Sequence, residues 1–153
     1  MSFLKRTTSA DNDFQNLVAL LDRDLQIRDG DEHSFYAQFN KIDSIKNVVV
    51  YYEENEPIGC GAFKQWEPTI AEIKRMFVET EHRSKGIASV ILTELENWAI
   101  EIGFTACVLE TGKKQPEAIR LYTKNNYAII PNFGQYENVE NSVCMKKELI
   151  RQN

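Results

Sequence analysis

Apolar and polar positions change period several times along this chain, and each change marks an element. Ile70 to Val78 is a short run rich in β-branched and aromatic residues, interrupted by Glu79 to His82, which predicts a strand. From Ile87 the apolar residues fall at 87, 88, 91, 92, 95, 98, 99 and 102, a 3.6-residue repeat. Gly103 follows where a left-handed cap would end that helix. Phe104 to Leu109 is almost wholly apolar, as in a strand buried on both faces. Strand, helix and strand together predict one right-handed βαβ unit with a parallel strand pair.

The remaining segments read as smaller pieces of the same sheet. Phe3 to Thr8 predicts a first strand, and Asp11, Asn12 or Asp13 can cap a helix whose apolar face is Phe14, Leu17, Val18, Leu21 and Leu25. Val48 to Tyr52 and Ile58 to Phe63 flank the charged turn Glu53-Glu54-Asn55-Glu56-Pro57, which predicts a hairpin. Another helix is expected near 31 to 42. Tyr127 to Ile130 and Ser142 to Lys147 form a late antiparallel pair around Pro131-Asn132-Phe133-Gly134. Neither a repeat nor a low-complexity tract breaks this order.

Composition narrows the class. A chain of 153 residues that is 42% hydrophobic can bury a core without staples, so residues 1–153 are expected to form a single domain. The net charge of −5 argues against a general nucleic-acid binder, which needs a basic field. Cys60, Cys107 and Cys144 lie in apolar runs without a C-x-x-C pair, so they read as core residues of a reducing compartment. His33 and His82 make no metal-ligand spacing, so no metal is expected. No apolar run reaches the length of a bilayer span, so the expectation is a cytoplasmic protein with no membrane and no nucleic-acid partner.

The most informative chemistry lies between the central strand and its helix, at Arg83-Ser84-Lys85-Gly86-Ile87-Ala88. A helix N-terminus presents unpaired N–H donors and the positive end of the macrodipole, and Gly86 permits close approach of backbone to a ligand. Such a loop suits a diphosphate. The pattern is short enough to arise by chance, so its position before the crossover helix supplies the specificity. Lys113 and Lys114, with Arg83 and Lys85, would add a basic rim.

The loop resembles the pyrophosphate loop of the GNAT superfamily of acyl-CoA-dependent N-acetyltransferases, (Arg or Gln)-x-x-Gly-x-(Gly or Ala). Leu109-Glu110-Thr111-Gly112 and Gln115-Pro116-Glu117-Ala118-Ile119-Arg120-Leu121-Tyr122 resemble that family's next strand end and its Asn-x-x-Ala-x-x-x-Tyr helix. Gln115 stands for the usual Asn and Asn126 for the usual Gly, and the likeness spans roughly residues 70 to 130. The resemblance implies an α/β, mixed-sheet GNAT-like fold: a central, mostly antiparallel sheet with a parallel strand pair around the βαβ unit, and flanking helices. It implies acetyl-CoA as co-substrate, with Arg83, Ser84, Lys85, Gly86, Ile87 and Ala88 on the pyrophosphate. Backbone N–H groups of Met76, Phe77 and Val78 would meet the pantetheine amide or the thioester carbonyl, and Gln115 the pantetheine arm.

Amide formation then dictates the rest of the site. An alkylamine titrates near pH 10.4, so exposing its neutral form at pH 7 costs about 4–5 kcal/mol unless a base takes the proton. Glu72, eleven residues before Arg83 on the predicted strand, stands at the spacing of the base glutamate in the histone-acetylating branch of the family. A strand glutamate facing solvent or paired with Lys74 is the plainer reading. Were Glu72 structural, the base would fall to Glu32, Glu110 or an amine already deprotonated in solution. Tyr122 resembles the family's general acid for the departing thiolate, and otherwise is a packed aromatic on an amphipathic helix. Asp29 to Phe39, with three aromatics among carboxylates, and Phe133 to Asn138 are candidate walls for the acceptor. The expected activity is transfer of an acetyl group from acetyl-CoA to a primary amine of a small molecule, amino acid or peptide by direct attack in a ternary complex. A noncatalytic acyl-CoA-binding sensor is the alternative, and a homodimer is left open.

Overall fold

The computed structural model describes residues 1–29 and 44–150. In chain order the elements are β1 (Ser2–Thr7), α1 (Asn12–Asp29), β2 (Asn47–Glu53), β3 (Glu56–Glu67), β4 (Ile70–Val78), α2 (Ile87–Ile102), β5 (Ala106–Gly112), α3 (Pro116–Lys124), β6 (Ala128–Ile130) and β7 (Ser142–Glu148). The seven strands hydrogen-bond in the order β1-β2-β3-β4-β5-β7-β6, and β4 and β5 run parallel. This is the mixed, mostly antiparallel sheet that the sequence predicts. The helix expected near 31 to 42, and with it Glu32, His33, Phe35, Tyr36 and Phe39, lies outside the described residues.

The chain divides into two compact units, Met1–Lys64 with Ile73–Leu95, and Gln65–Glu72 with Glu96–Asn153. In the first unit, Asp11 caps α1, its Oδ1 accepting from the Phe14 N–H at 3.0 Å. Phe14, Leu17 and Val18 on that helix are at most 2% exposed, and each such burial contributes about 1.5–3 kcal/mol. The hairpin between β2 and β3 turns on two residues rather than five. Glu54 and Asn55 both have positive φ, 50° and 67°, which matches the twist of the flanking strands. Gly61 on β3 is a point of close approach. A Cβ there would lie 2.5 Å from the Met76 Sδ and 2.8 Å from the Leu95 Cδ1, so α2 and β4 pack directly on bare backbone.

In the second unit, β5 begins at Ala106 rather than Phe104, because the Phe104 N–H is used to close α2 on the Ala99 carbonyl at 2.9 Å. β4 and β5 share three register pairs, ending at Glu72–Val108. The late strands do not form a simple edge hairpin: β7 pairs with β5 over seven positions, from Ala106–Glu148 to Gly112–Ser142, and leaves short β6 outermost. A polar group ties the far elements of this unit together. Glu96 on α2 is 7% exposed and accepts from the Tyr127 hydroxyl and the Lys147 ammonium, each at 2.8 Å. Leaving a buried carboxylate without such partners would cost several kcal/mol, so these bonds are a condition of packing Glu96 there.

Candidate active site

The loop after β4 is shaped in the first unit. Thr80–His82 form one turn of 3-10 helix, after which Ser84 and Gly86 take left-handed φ values of 67° and 82°. Two left-handed residues in three positions swing the chain into the start of α2. A Cβ on Gly86 would meet nothing within 4 Å, so this glycine is needed for its backbone angle and leaves open space above it. The backbone N–H groups of Ser84, Lys85, Gly86, Ile87 and Ala88 have no hydrogen-bond partner among the described residues, and the first bond across the helix start is Val90 N–H to the Gly86 carbonyl at 3.1 Å. Five successive donors at the positive end of a sixteen-residue helix form a cradle that fits a diphosphate.

Arg83 plays a different part from the basic rim expected of it. Its Nε donates to the Val78 carbonyl at 2.8 Å, its Nη2 lies 3.5 Å from Asp24, and the guanidinium sits over the Phe77 ring at 5.5 Å. Arg83 thus braces the loop against the end of β4, while Ser84 and Lys85 are exposed. Phe77 and Val78 are buried and Met76 is half-buried. Just before them, Arg75 has a φ of 60° inside a strand, a conformation costing an L-residue about 1–2 kcal/mol. Its side chain is buried, with Nη1 donating to Asp22 at 3.1 Å, and its carbonyl accepts from the Cys60 thiol at 3.3 Å. This irregularity re-aims residues 76 to 78. The sequence carries no signal for it, because an arginine gives no warning of a left-handed strand residue.

The second unit holds the titratable groups. Glu72, on β4, is only 2% exposed. It pairs laterally with Val108, and Glu110 lies two residues further along β5 opposite Cys144, so Glu72, Val108, Glu110 and Cys144 share one sheet face. Tyr122 on α3 is 6% exposed, and its ring meets that of Tyr127 edge-on at 5.8 Å. Burial pushes the Tyr122 hydroxyl above its ordinary range, and the Glu110 carboxylate pushes it further. Tyr136 is raised by burial first, then by Glu110 and by Glu72. The Cys144 thiol is pushed up to about 11 by burial, with Glu110 and Glu72 adding to the effect. Both carboxylates therefore act on the same neighbours. Phenols held neutral in this way remain hydrogen-bond donors throughout the physiological range.

Other expected residues fall in separate places. Gln115 sits at the start of α3 without a side-chain capping bond, and its Nε2 would lie 3.5 Å from a Cβ on Gly112. Lys113 and Lys114 are exposed. Of the acceptor wall predicted at 133 to 138, Tyr136 is buried and Phe133 packs on it edge-on at 6.0 Å and on Trp66 at 4.9 Å. Trp66 was not anticipated, because β3 runs four residues beyond its apolar stretch. All three cysteines are buried free thiols. Among the described residues no cluster of three metal-ligating side chains occurs, and no helix is long and apolar enough to cross a membrane.

A strand carrying a buried carboxylate, then a cradle of backbone donors opening a helix, and later a helix carrying a buried tyrosine match the arrangement expected of acyl-CoA-dependent transferases. The model of the acetyltransferase (GNAT) family matches residues 14–127, and the chain belongs to that family. The "IAA acetyltransferase" of Azospirillum brasilense is 38% identical over 93 residues, covering 60% of this chain and 61% of that protein, so the likeness spans under two thirds of the relative's length. A Klebsiella pneumoniae subsp. pneumoniae structure assigned to the acyl-CoA N-acyltransferases superposes with a TM-score of 0.82 at 26% identity, covering 98% of this chain and 99% of that one. A GNAT family acetyltransferase from Elizabethkingia anophelis, with acetyl-CoA bound, shares the fold at a TM-score of 0.69 and 18% identity, covering 97% and 98% of the two chains.

Proposed function

We propose that this protein is an acetyl-CoA-dependent N-acetyltransferase that transfers an acetyl group to a primary amine of a small molecule, amino acid or peptide. The observation that carries the reading is the run of five successive backbone N–H groups, from Ser84 to Ala88, without a partner among the described residues. In this reading they bind the pyrophosphate of acetyl-CoA, Lys85 adds its charge, and Arg83 keeps the loop in shape. The backbone of Met76, Phe77 and Val78 receives the pantetheine amide or the thioester carbonyl, where an oxyanion develops, and Gln115 meets the pantetheine arm.

Glu72 is assigned to accept the proton of the attacking ammonium, directly or through a water. The amine nitrogen attacks the thioester carbonyl carbon, the tetrahedral adduct gives up its remaining surplus N–H proton to solvent and collapses, and the C–S bond breaks. Tyr122 donates its phenolic proton to the departing thiolate and regains one from solvent. Phenol is a weaker acid than thiol by about 1.5 pH units in water, or about 2 kcal/mol. Burial raises Tyr122 above that reference, so donation in the folded protein costs more than the difference in water. The reading treats residues 1–153 as one catalytic domain. It keeps the cytoplasmic expectation, supported by three free buried thiols.

The test is thiol release from acetyl-CoA over an amine library, run beside calorimetric titration with acetyl-CoA alone. Turnover with at least one amine is the expected result. Binding of acetyl-CoA without turnover on any amine would make the protein a sensor, and no binding at all would remove the loop from the coenzyme.

A further inference from the structure

Within the second unit, β5 ends at Gly112, which pairs with Ser142 at the start of β7. Two side-chain amides converge over this glycine. A Cβ on Gly112 would lie 3.5 Å from the Gln115 Nε2 and 3.6 Å from the Asn141 Nδ2. Those are ordinary contacts, and Gly112 has no left-handed φ, so neither crowding nor backbone angle calls for a glycine there. What the bare Cα leaves is an atom-sized gap beneath two NH2 groups. The backbone around the gap is already satisfied: the Lys113 N–H donates to the Asn141 carbonyl at 2.8 Å, and the Gln115 N–H to the Gly112 carbonyl at 2.9 Å. The side chains differ. The Asn141 Nδ2 is buried without a hydrogen-bond partner among the described residues, and Gln115 makes no capping bond. A buried donor left open is costly, so it points to a ligand that completes it.

From this placement we propose that the Asn141 and Gln115 amides together hold one carbonyl oxygen of the pantetheine arm of acetyl-CoA, which makes Asn141 a coenzyme-binding residue. The inference rests on the acetyltransferase reading and adds a residue to it. Asn141 lies outside the stretch that carries the family resemblance, and only the pairing of β7 with β5 brings it to Gln115. Both groups present donors to the gap, so the nitrogen of an acceptor ammonium, itself a donor, does not fit there. A carbonyl oxygen has two lone pairs and can accept from both. Neither amide is charged. Two neutral donors suit a neutral amide better than a carboxylate or a phosphate, which needs opposite charge when it is buried. The pantetheine arm carries two secondary amides, and Gln115 already borders it in the proposed site.

The experiment is calorimetry of coenzyme A and of 3′-phospho-ADP, which is coenzyme A without its pantetheine arm, the latter measured directly or by competition with coenzyme A. Wild type is compared with Asn141→Ala, Asn141→Asp and Gly112→Ala. Asn141→Ala should weaken coenzyme A about 3- to 10-fold and leave 3′-phospho-ADP unchanged. Asn141→Asp sets oxygen against oxygen and should weaken coenzyme A further. Gly112→Ala puts its methyl group into the gap at ordinary contact distance, so it should act like Asn141→Ala while the melting temperature holds. If the Asn141 variants do not fold, Gly112→Ala alone decides. Equal weakening of the two ligands would make Asn141 structural and overturn the proposal. So would coenzyme A affinity that neither Asn141→Ala nor Gly112→Ala moves: the two amides would then serve each other, or, were the KM for the amine raised instead, the acceptor. A wild type that binds no coenzyme A overturns the transferase reading as well, whereas a wild type that binds it no better than the variants overturns this inference alone.

Discussion

The loop from Arg83 to Ala88 and the face that holds Glu72, Glu110, Tyr122 and Tyr136 are built on opposite principles. The loop is exposed, works through backbone donors, and depends on left-handed residues at Ser84 and Gly86. In the carboxylate face Glu72, Tyr122 and Tyr136 are buried and Glu110 half-buried, and its shape depends on side chains, strand register and the packing of α3. A backbone cradle tolerates a change of side chain wherever the chain can still take its shape. A buried titratable group tolerates almost no change, because its neighbours set its charge state. On the proposed reading, coenzyme binding and acceptor chemistry would therefore be separable, and the variants below test that separation.

Glu72→Gln is expected to have the largest effect. It keeps the volume of a side chain that is 2% exposed but cannot take a proton. We expect kcat to fall about 100- to 10,000-fold at pH 7 and to recover partly as rising pH supplies neutral amine, with acetyl-CoA affinity unchanged. A wild-type pH–rate profile in this variant would return Glu72 to a structural role.

Tyr122→Phe removes only a hydroxyl. Turnover should slow about 10- to 1000-fold under conditions where chemistry is rate-limiting. Coenzyme affinity should stay the same, as the two regions differ. Equal single-turnover rates would leave Tyr122 as the packing partner of Tyr127.

Gly86→Val probes the other region. The added side chain meets no protein atom within 4 Å, but a φ of 82° strains it, by about 1–2 kcal/mol. The protein should remain folded, bind acetyl-CoA about 10- to 100-fold more weakly, and keep its order of preference among amines. Calorimetry beside thermal denaturation separates weaker binding from unfolding, and unchanged affinity would move the pyrophosphate elsewhere.

The smallest expected effect is on stability. Burial holds the Cys144 thiol at about 11, against an ordinary value of 9.0. The unfolded chain therefore loses its proton first as pH rises. The stability that the neutral thiol contributes is intact below pH 9.0 and is lost up to about pH 11, by on the order of 2 kcal/mol. Denaturant unfolding across that window should show the fall, and Cys144→Ala should flatten it. Identical slopes in the two proteins would mean that the thiol ionises in place.

How much could be read without the structure follows from how each feature is encoded. Local features were legible: the β4 segment has the predicted bounds, α2 starts at Ile87, Asp11 caps α1, and Asn126 takes the left-handed angle of 74° expected of a glycine substitute. Each depends on residues within a turn or two of one another. The loop belongs to this group, since a helix start and a permissive glycine are written in consecutive residues. The insertion of β7 between β5 and β6, the left-handed Arg75, the inward turn of Arg83 and the pairing of Glu110 with Cys144 were decided only by tertiary structure. They join residues far apart in the chain, or depend on which neighbour satisfies a buried polar group. The sequence by itself determined the family, the order of the described elements and the glycine-bearing loop before α2, because these are local patterns. Tertiary structure decided which residues share a sheet face with Glu72 and Glu110, because β-sheet register is settled by burial across strands and not by the residues of any one of them.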